Sequence, residues 1–220
     1  MRMRRIPLSI GLALALLAGP AFAKEKVYPA LQEPMHKAVF HNDRIDVYDV
    51  QLKPGEASYF HRHSRDQLGI SLRSTTSINQ ALGGAEVATS TERGSISYIP
   101  HSVSGGYIHR VRARAAPFRV IGIEFAERAP AGSTRLSAAP GDPELMFPQG
   151  NIRRATIPPG AELSLSGSLI VTVTPGTLTL DGNSWGFGEG AVRWTGKQPA
   201  MTYRNGTAKP VVLLVLTLKD

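Results

Sequence analysis

The nine residues Gly55-Glu56-Ala57-Ser58-Tyr59-Phe60-His61-Arg62-His63 carry two histidines two positions apart on a run that is typical of a β-strand. Side chains alternate between the two faces of a strand, so His61 and His63 point to one side and Arg62 points to the other. Two imidazoles at this spacing can close on one metal ion. On the same alternation Tyr59 shares the face of His61, which makes it a candidate for lining the site or donating a proton.

Short runs of alternating apolar and polar residues follow one another along the chain, separated by glycine and proline turn signals. This pattern predicts an all-β protein built as sandwiches or barrels. Residues 126–150 differ, because four prolines and three glycines fall within them. They predict an irregular connector between two domains, in which residues 144–147 form one helical turn.

The second half of the chain repeats the first. Leu52-Lys53-Pro54-Gly55 is echoed by Ile157-Pro158-Pro159-Gly160, and an alternating strand follows each. Two similar β units indicate an internal duplication. We therefore predict a first unit over residues 24–125, the connector over 126–150 and a second unit over 151–220, closed by a strand over 211–218 that is buried on both faces.

The first 23 residues have the organisation of a secretory signal peptide. Arg2, Arg4 and Arg5 precede a mostly apolar run over residues 6–18, and Ala21-Phe22-Ala23 is a small-x-small cleavage site. The apolar run is too short to span a bilayer. We expect export to the bacterial periplasm or the medium, cleavage after Ala23, and no membrane segment in the mature chain.

Composition excludes several classes of function. The chain has no cysteine, which removes thiolate catalysis, disulfides and iron–sulfur clusters. Its net charge of +8 is not gathered into a basic stripe with interleaved aromatic residues, so we expect no nucleic-acid partner. The densest basic run, Arg110-Val111-Arg112-Ala113-Arg114, predicts a solvated strand face. A basic rim that attracts an anionic substrate is the alternative interpretation.

These residues resemble the cupin superfamily. The stretch from Gly55 to His63 matches the first cupin motif, a glycine followed after five residues by His-x-His, and Gly94 with Pro100 matches the start of the second. The resemblance implies two antiparallel cupin-type β-barrels in tandem, jelly-roll-like, in a bicupin. It also implies a set of metal ligands in the first barrel: His61, His63, Gln67 and His109.

The chain departs from the cupin pattern in two places that affect the site. Gln67 stands where the family usually has glutamate, which removes one negative charge and one possible base from the metal. His109 lies further beyond Pro100 than the resemblance implies, so residues 102–106 would be an inserted loop. His101 therefore stays open as the alternative third histidine.

The remaining candidates outside the motifs receive simpler interpretations. His36 and His41 are lone histidines near turns and are predicted to lie on the surface. Glu56 and Glu124 are acids close to motif strands, with no place in the site assigned. Counted from Gly160 as from Gly55, the ligand positions of the second barrel fall on residues that suit no such ion, so that barrel is predicted to be degenerate and metal-free: Ser166, Ser168, Thr172 and Met201.

Three neutral imidazoles and one amide oxygen suit one divalent transition metal, namely iron, nickel, zinc, manganese or copper. The resemblance suggests metal-assisted chemistry on a small oxygen-rich molecule, of the dioxygenase type or of the isomerase or cyclase type. A non-catalytic bicupin that holds a metal or a small ligand is the alternative, and a purely structural role ranks third. Cupins often pair through edge strands, so the resemblance also implies a homodimer.

Overall fold

The computed structural model describes residues 25–167, 169–180, 182–196 and 199–219. The predicted signal peptide lies outside these ranges. Within them, one 3-10 turn (Ala30–Gln32) interrupts a chain that is otherwise built from strands, which confirms the all-β prediction. No helix in the described ranges is long and apolar enough to cross a membrane.

The first unit consists of two facing sheets. One has the strand order β1-β4-β9-β6-β7 and the other the order β11-β8-β5-β10-β3-β2. Neighbouring strands are antiparallel except for β1 and β4. The strands are β1 (Tyr28–Pro29), β2 (His36–His41), β3 (Ile45–Leu52), β4 (His61–His63), β5 (Gln67–Ser71), β6 (Thr75–Ala81), β7 (Glu86–Thr91), β8 (Ile96–Ile99), β9 (Tyr107–Ala113), β10 (Phe118–Phe125) and β11 (Leu136–Ala138).

The second unit repeats this plan with sheets in the orders β12-β13-β20-β15-β18 and β14-β19-β16-β17. The predicted closing strand is confirmed as β20, whose side chains are buried on both faces. None of the four described sheets closes on itself. The strands are β12 (Glu144–Phe147), β13 (Gly150–Ile157), β14 (Glu162–Leu165), β15 (Leu169–Thr172), β16 (Gly176–Leu180), β17 (Asn183–Phe187), β18 (Val192–Trp194), β19 (Met201–Asn205) and β20 (Val211–Leu218).

The connector is more ordered than its composition predicts. Strand β11 adds to the edge of the first unit by pairing with β8, and β12 adds to the second unit by pairing with β13. The prediction of a helical turn over residues 144–147 was wrong, because Leu145 and Phe147 alternate inward into a core that only an extended chain can reach. The buried Asp66 carboxylate holds the connector in place by accepting hydrogen bonds from the Ala129 backbone and the Gln149 side chain.

One hydrophobic core joins the two units. It contains the faces of β3, β5, β8 and β10 that point away from the interior of the first unit, and the faces of β13, β15 and β20 that point away from the interior of the second. Along β20, Leu214 and Leu216 face this shared core, whereas Leu213 and Val215 face the interior of the second unit. Salt bridges also connect the two units, because Glu189 in the second unit pairs with Arg73 and Arg93 in the first.

Candidate metal centre

Three histidines converge between the sheets of the first unit. His61 and His63 project from β4, and the register of the neighbouring strand β9 places His109 directly opposite His61. Their ligand atoms all lie within 4.8 Å of one another. The alternation that the sequence predicted for the His-x-His pair thus places both imidazoles on the inner face, while Arg62 stays exposed.

The Nδ1 atom of each histidine already has an acceptor, so the side chains are oriented. His61 Nδ1 lies 2.8 Å from the Tyr59 carbonyl oxygen, His63 Nδ1 2.8 Å from Glu124 Oε1, and His109 Nδ1 3.1 Å from Asn79 Oδ1. These contacts select the tautomer with hydrogen on Nδ1 and leave Nε2 as the free lone pair.

The Nε2 atom of His109 is buried and has no hydrogen-bond partner among the described residues. A buried polar atom without a partner costs free energy unless something occupies its lone pair. Three oriented imidazoles with convergent Nε2 atoms are the donor set that a divalent transition metal prefers. The residues therefore fit a metal ion.

The electrostatics keep these imidazoles neutral, which is the state that binds a metal. Burial, together with a smaller effect of the neighbouring histidines, lowers the pKa of His109 from 6.5 to about 2. Burial also lowers the pKa of His61 and takes that of His63 well below 6.5. Glu124 shifts the other way, because burial raises its pKa from 4.5 to about 7 against the opposing effect of Arg65.

Gln67 lies in the cavity beside the histidines, on β5. Its Nε2 donates to the Tyr48 hydroxyl at 2.8 Å, and its Oε1 has no hydrogen bond among the described residues. The Tyr48 ring in turn lies over Gly122, where an added Cβ would come within 2.3 Å of it. The role of Gln67 as a metal ligand stays a prediction. The hydrogen bond to Tyr48 fixes the orientation of its amide.

His109, rather than His101, has a ligand atom within 4.8 Å of those of His61 and His63, and its role as the third ligand stays a prediction. His101 is buried behind the site, where its ring stacks on that of His63 at a centroid distance of 5.1 Å. Residues 101–105 form turns before β9, and the interpretation of residues 102–106 as an inserted loop stays a prediction.

The interpretation of His36 as a surface residue was wrong. Its side chain is only 4% exposed; it stacks on Tyr48 at 4.5 Å and meets the His61 ring edge-on at 4.5 Å. Its Nδ1 lies 2.7 Å from the Ala30 carbonyl oxygen of the 3-10 turn. No local pattern signals this burial, because the covering residues are distant in sequence or precede the strand. By contrast, His41 is exposed as predicted.

Tyr59 does not share the inward face, so its prediction as a residue lining the site was also wrong. Its side chain is 53% exposed and packs on Tyr28. The regular strand begins only at His61, since the Tyr59 N–H donates to Glu33 Oε1 and breaks the alternation just before the motif. Tyr59 serves the site through its carbonyl oxygen, which orients His61.

Glu124 is the functional residue that the sequence mentioned without placing. It lies on β10 opposite Gln67 and points at His63 from the facing sheet. The alternation of β10 is a weak signal for it, because apolar residues occupy both faces of that strand. The other acid, Glu56, instead accepts a hydrogen bond from the Lys53 backbone in the preceding turn.

A cavity of about 160 Å³ opens beside the histidines, between the two sheets. Its wall combines the imidazoles with Gln67, several serine and threonine hydroxyls, and apolar side chains such as Val111 and Phe118. For comparison, a dry cavity of about 150 Å³ in another protein accommodates benzene. The space therefore suits a small molecule of about one ring in size.

The second unit carries a different set of residues at the corresponding positions. Thr172 is buried, and its hydroxyl donates to the Gly188 carbonyl oxygen at 2.7 Å. Met201 packs against the core of that unit. Ser166 contributes its carbonyl oxygen to Arg153 at 3.3 Å, and Ser168 lies outside the described residues. These interactions are structural, and the degenerate, metal-free second barrel stays a prediction.

Comparison with known proteins places the fold. No protein-family profile matches the chain, and neither does any curated protein sequence. Solved structures do match over most of its length. The E. coli protein Ylba is 15% identical with a TM-score of 0.61, covering 91% of this chain and 90% of its own. The bacterial pirin YhhW from E. coli, solved in complex with nickel(II), is 14% identical with a TM-score of 0.58, covering 84% of this chain and 85% of its own.

A salicylate 1,2-dioxygenase from Pseudaminobacter salicylatoxidans is 11% identical with a TM-score of 0.52, covering 81% of this chain and 74% of its own. These proteins belong to the cupin class, and identities this low show the fold alone. The chain therefore has the fold of these cupin proteins.

Proposed function

We propose that this protein is a metal-dependent bicupin that binds one divalent transition-metal ion through His61, His63 and His109 and acts on a small oxygen-rich molecule in the adjoining cavity. The observation that carries the proposal is the convergence of three Nε2 atoms whose Nδ1 partners are already fixed. Gln67 Oε1 is the proposed fourth ligand. Two proteins of this fold support the proposal: YhhW was solved in complex with nickel(II), and another is a salicylate 1,2-dioxygenase.

A bound ion of this kind would supply a Lewis acid that polarises an oxygen atom of the ligand. The chain's own residues orient the metal ligands and enclose the small molecule. Glu124 holds the proton of His63 on Nδ1, and Tyr48 holds the Gln67 amide. The two sheets limit the space to a small ligand and reduce access of water. Dioxygenation and isomerisation or cyclisation are the two chemistries that we propose for such a site.

The alternative is a non-catalytic protein that holds a metal or small ligand, and one observation favours it. None of the described residues that line the cavity carries a carboxylate, so an aspartate or glutamate that could transfer a proton is missing there. Oxygen uptake with a panel of phenols and hydroxy acids, together with product analysis, distinguishes dioxygenation, isomerisation or cyclisation, and binding without turnover. Binding without any turnover would support the non-catalytic alternative.

The test of the metal site is metal content. Protein purified without chelator should hold close to one equivalent of a transition metal, or take one up when iron, nickel, zinc, manganese or copper is added. His61→Ala and His109→Ala should each lose it, whereas His41→Ala, at the exposed histidine, should retain it. A His61→Ala protein that binds metal as well as the parent would contradict the ligand assignment.

Two further properties belong to the proposal. Export to the periplasm or medium rests on the leader-like residues 1–23, and N-terminal sequencing of protein from a periplasmic fraction should find Lys24 first. Pairing of two copies through an edge strand rests on the resemblance to cupins. Sedimentation analysis of the mature protein tests it.

A further inference from the structure

Arg135 brings a positive charge to the cavity from the connector. Arg135 immediately precedes β11. Leu136, the first residue of β11, pairs with Tyr98 of β8. If this antiparallel register is continued by one residue, Arg135 lies opposite Ile99. Because side chains alternate along a strand, Arg135 lies on the face of Ile99 while Leu136 packs toward the shared core. Both Ile99 and Arg135 line the cavity.

Among the described residues that line the cavity, Arg135 is the only lysine or arginine. No hydrogen bond or ion pair connects it to any described residue. The wall offers no carboxylate that would neutralise it.

The space between the metal ligands and Arg135 results from a row of small residues across the sheet. Gly122, Gly69 and Ser97 are direct cross-strand neighbours. The Tyr48 ring fills the space above Gly122, whereas the atoms nearest to an added Cβ on Gly69 belong to the smaller side chains Ser97 and Val120. An added Cβ on Gly69 would come within 3.1 Å of Ser97 Oγ, so a larger residue there would displace Ser97 and reduce the space in the cavity.

We propose that Arg135 binds the carboxylate of the ligand, so that the site is selective for small organic carboxylates whose second oxygen-bearing group faces the histidines. Arginine presents two parallel N–H donors that match the two oxygens of a carboxylate. The described cavity wall has no carboxylate of its own that would compete with the ligand for these donors. The inference rests on the proposed metal-dependent function and adds the chemical class of its ligand. It also assigns a binding role to a residue of the segment that the sequence indicated as a mere connector.

The experiment compares carboxylates with their neutral amides on metal-loaded protein. Benzoate, 2-hydroxybenzoate, lactate and pyruvate are titrated beside their carboxamides, with calorimetry as the readout. The parent protein should bind at least one acid about tenfold or more tightly than its amide, the ratio that a charge-assisted hydrogen bond provides. Arg135→Gln should abolish this preference, and Arg135→Lys should restore part of it.

Arg114→Gln is the matched control, because it removes the same charge from an exposed position outside the cavity. It should leave the preference for the acid unchanged. The metal content of every variant is measured in parallel. Protein that never binds metal refutes the proposed function itself, whereas metal-loaded protein without a preference for any acid, or with the same preference in Arg135→Gln, overturns only the role of Arg135.

Discussion

Glu124 on β10 accepts a hydrogen bond from Nδ1 of His63 on β4 at 2.8 Å, across the space between the two sheets of the first unit. Both side chains are almost completely buried. A carboxylate at this position fixes the ring orientation of a ligating histidine and increases the basicity of its other nitrogen. The bond therefore links the framework of one sheet to the metal ligands of the other.

Glu124→Gln tests this relationship. The glutamine keeps the shape of the side chain and can still accept a hydrogen bond, but it removes the charge. We expect metal affinity to fall about 10- to 100-fold, the usual effect of losing a partner behind a metal ligand. Competition with a chelator of known affinity measures the change. Glu162→Gln, at an exposed position on β14, should bind metal like the parent, and equal affinity in both variants would refute the role of Glu124.

Gly122→Ala tests the packing that supports Gln67. The added methyl group would lie 2.3 Å from the Tyr48 ring, which has to move and take the partner of the Gln67 amide with it. We expect a loss of about 1–3 kcal/mol in the free energy of unfolding, as for overpacking in a core, and weaker metal binding. Urea unfolding and metal titration measure the two effects.

The control for Gly122→Ala is Gly141→Ala, where an added Cβ meets nothing within 4 Å. It should change neither stability nor metal binding. If Gly122→Ala unfolds at the same urea concentration as the Gly141 variant, the close contact with Tyr48 has no energetic importance.

Leu216→Ala tests whether the two units unfold together. Leu216 is fully buried in the core that both units share, so its truncation should cost about 2–5 kcal/mol. Both tryptophans, Trp185 and Trp194, belong to the second unit, whereas the proposed metal lies in the first. Tryptophan fluorescence and metal release should therefore shift to lower urea together.

Leu82→Ala, at an exposed leucine, serves as the control and should change stability by less than about 0.5 kcal/mol. If Leu216→Ala shifts the fluorescence transition alone and leaves metal release where it was, the shared core does not couple the units.

The pH dependence of the metal-free protein follows from the buried histidines. Burial lowers the pKa of His36 from 6.5 to about 3, that of His101 to about 4 and that of His109 to about 2. Unfolding exposes them, and below pH 6.5 the unfolded chain takes up protons that the folded chain does not. Stability is therefore fully present above pH 6.5 and is lost as the pH falls toward the folded values.

Glu124 acts in the opposite sense. Its folded pKa of about 7 exceeds 4.5, so its contribution is complete below pH 4.5 and is lost as the pH rises through 7. The histidines outnumber it, so we expect the urea midpoint of metal-free protein to fall steadily between pH 6.5 and pH 4.5. A midpoint that stays constant over this interval would contradict the burial of the histidines.

Some of the site was readable from sequence because it depends on local geometry. Alternation along a strand places His61 and His63 on one face whatever the rest of the chain does. The glycine and proline positions around them resemble cupin motifs, and the fold agrees with that resemblance, which left His109 and His101 as candidates for the third histidine. The buried run of β20 was likewise predictable, because apolar residues on both faces require cover on both faces.

Other features depend on contacts between distant segments. His36 is buried because Tyr48 and the 3-10 turn cover it, and Glu124 belongs to the site because β10 faces β4 across the barrel. The alternation around Tyr59 fails because a carboxylate 26 residues earlier takes its backbone N–H. None of these partners lies within the few residues over which a sequence pattern carries information.

The sequence by itself determined the strand that carries His61 and His63, the duplicated β architecture and the residue types available to a metal. Only the tertiary structure decided which histidine joins the pair, which groups hold the Nδ1 atoms, and that the connector contributes Arg135 to the cavity. The physical reason is range. Backbone geometry sets side-chain direction within a strand, whereas the register and the facing of sheets set which side chains meet.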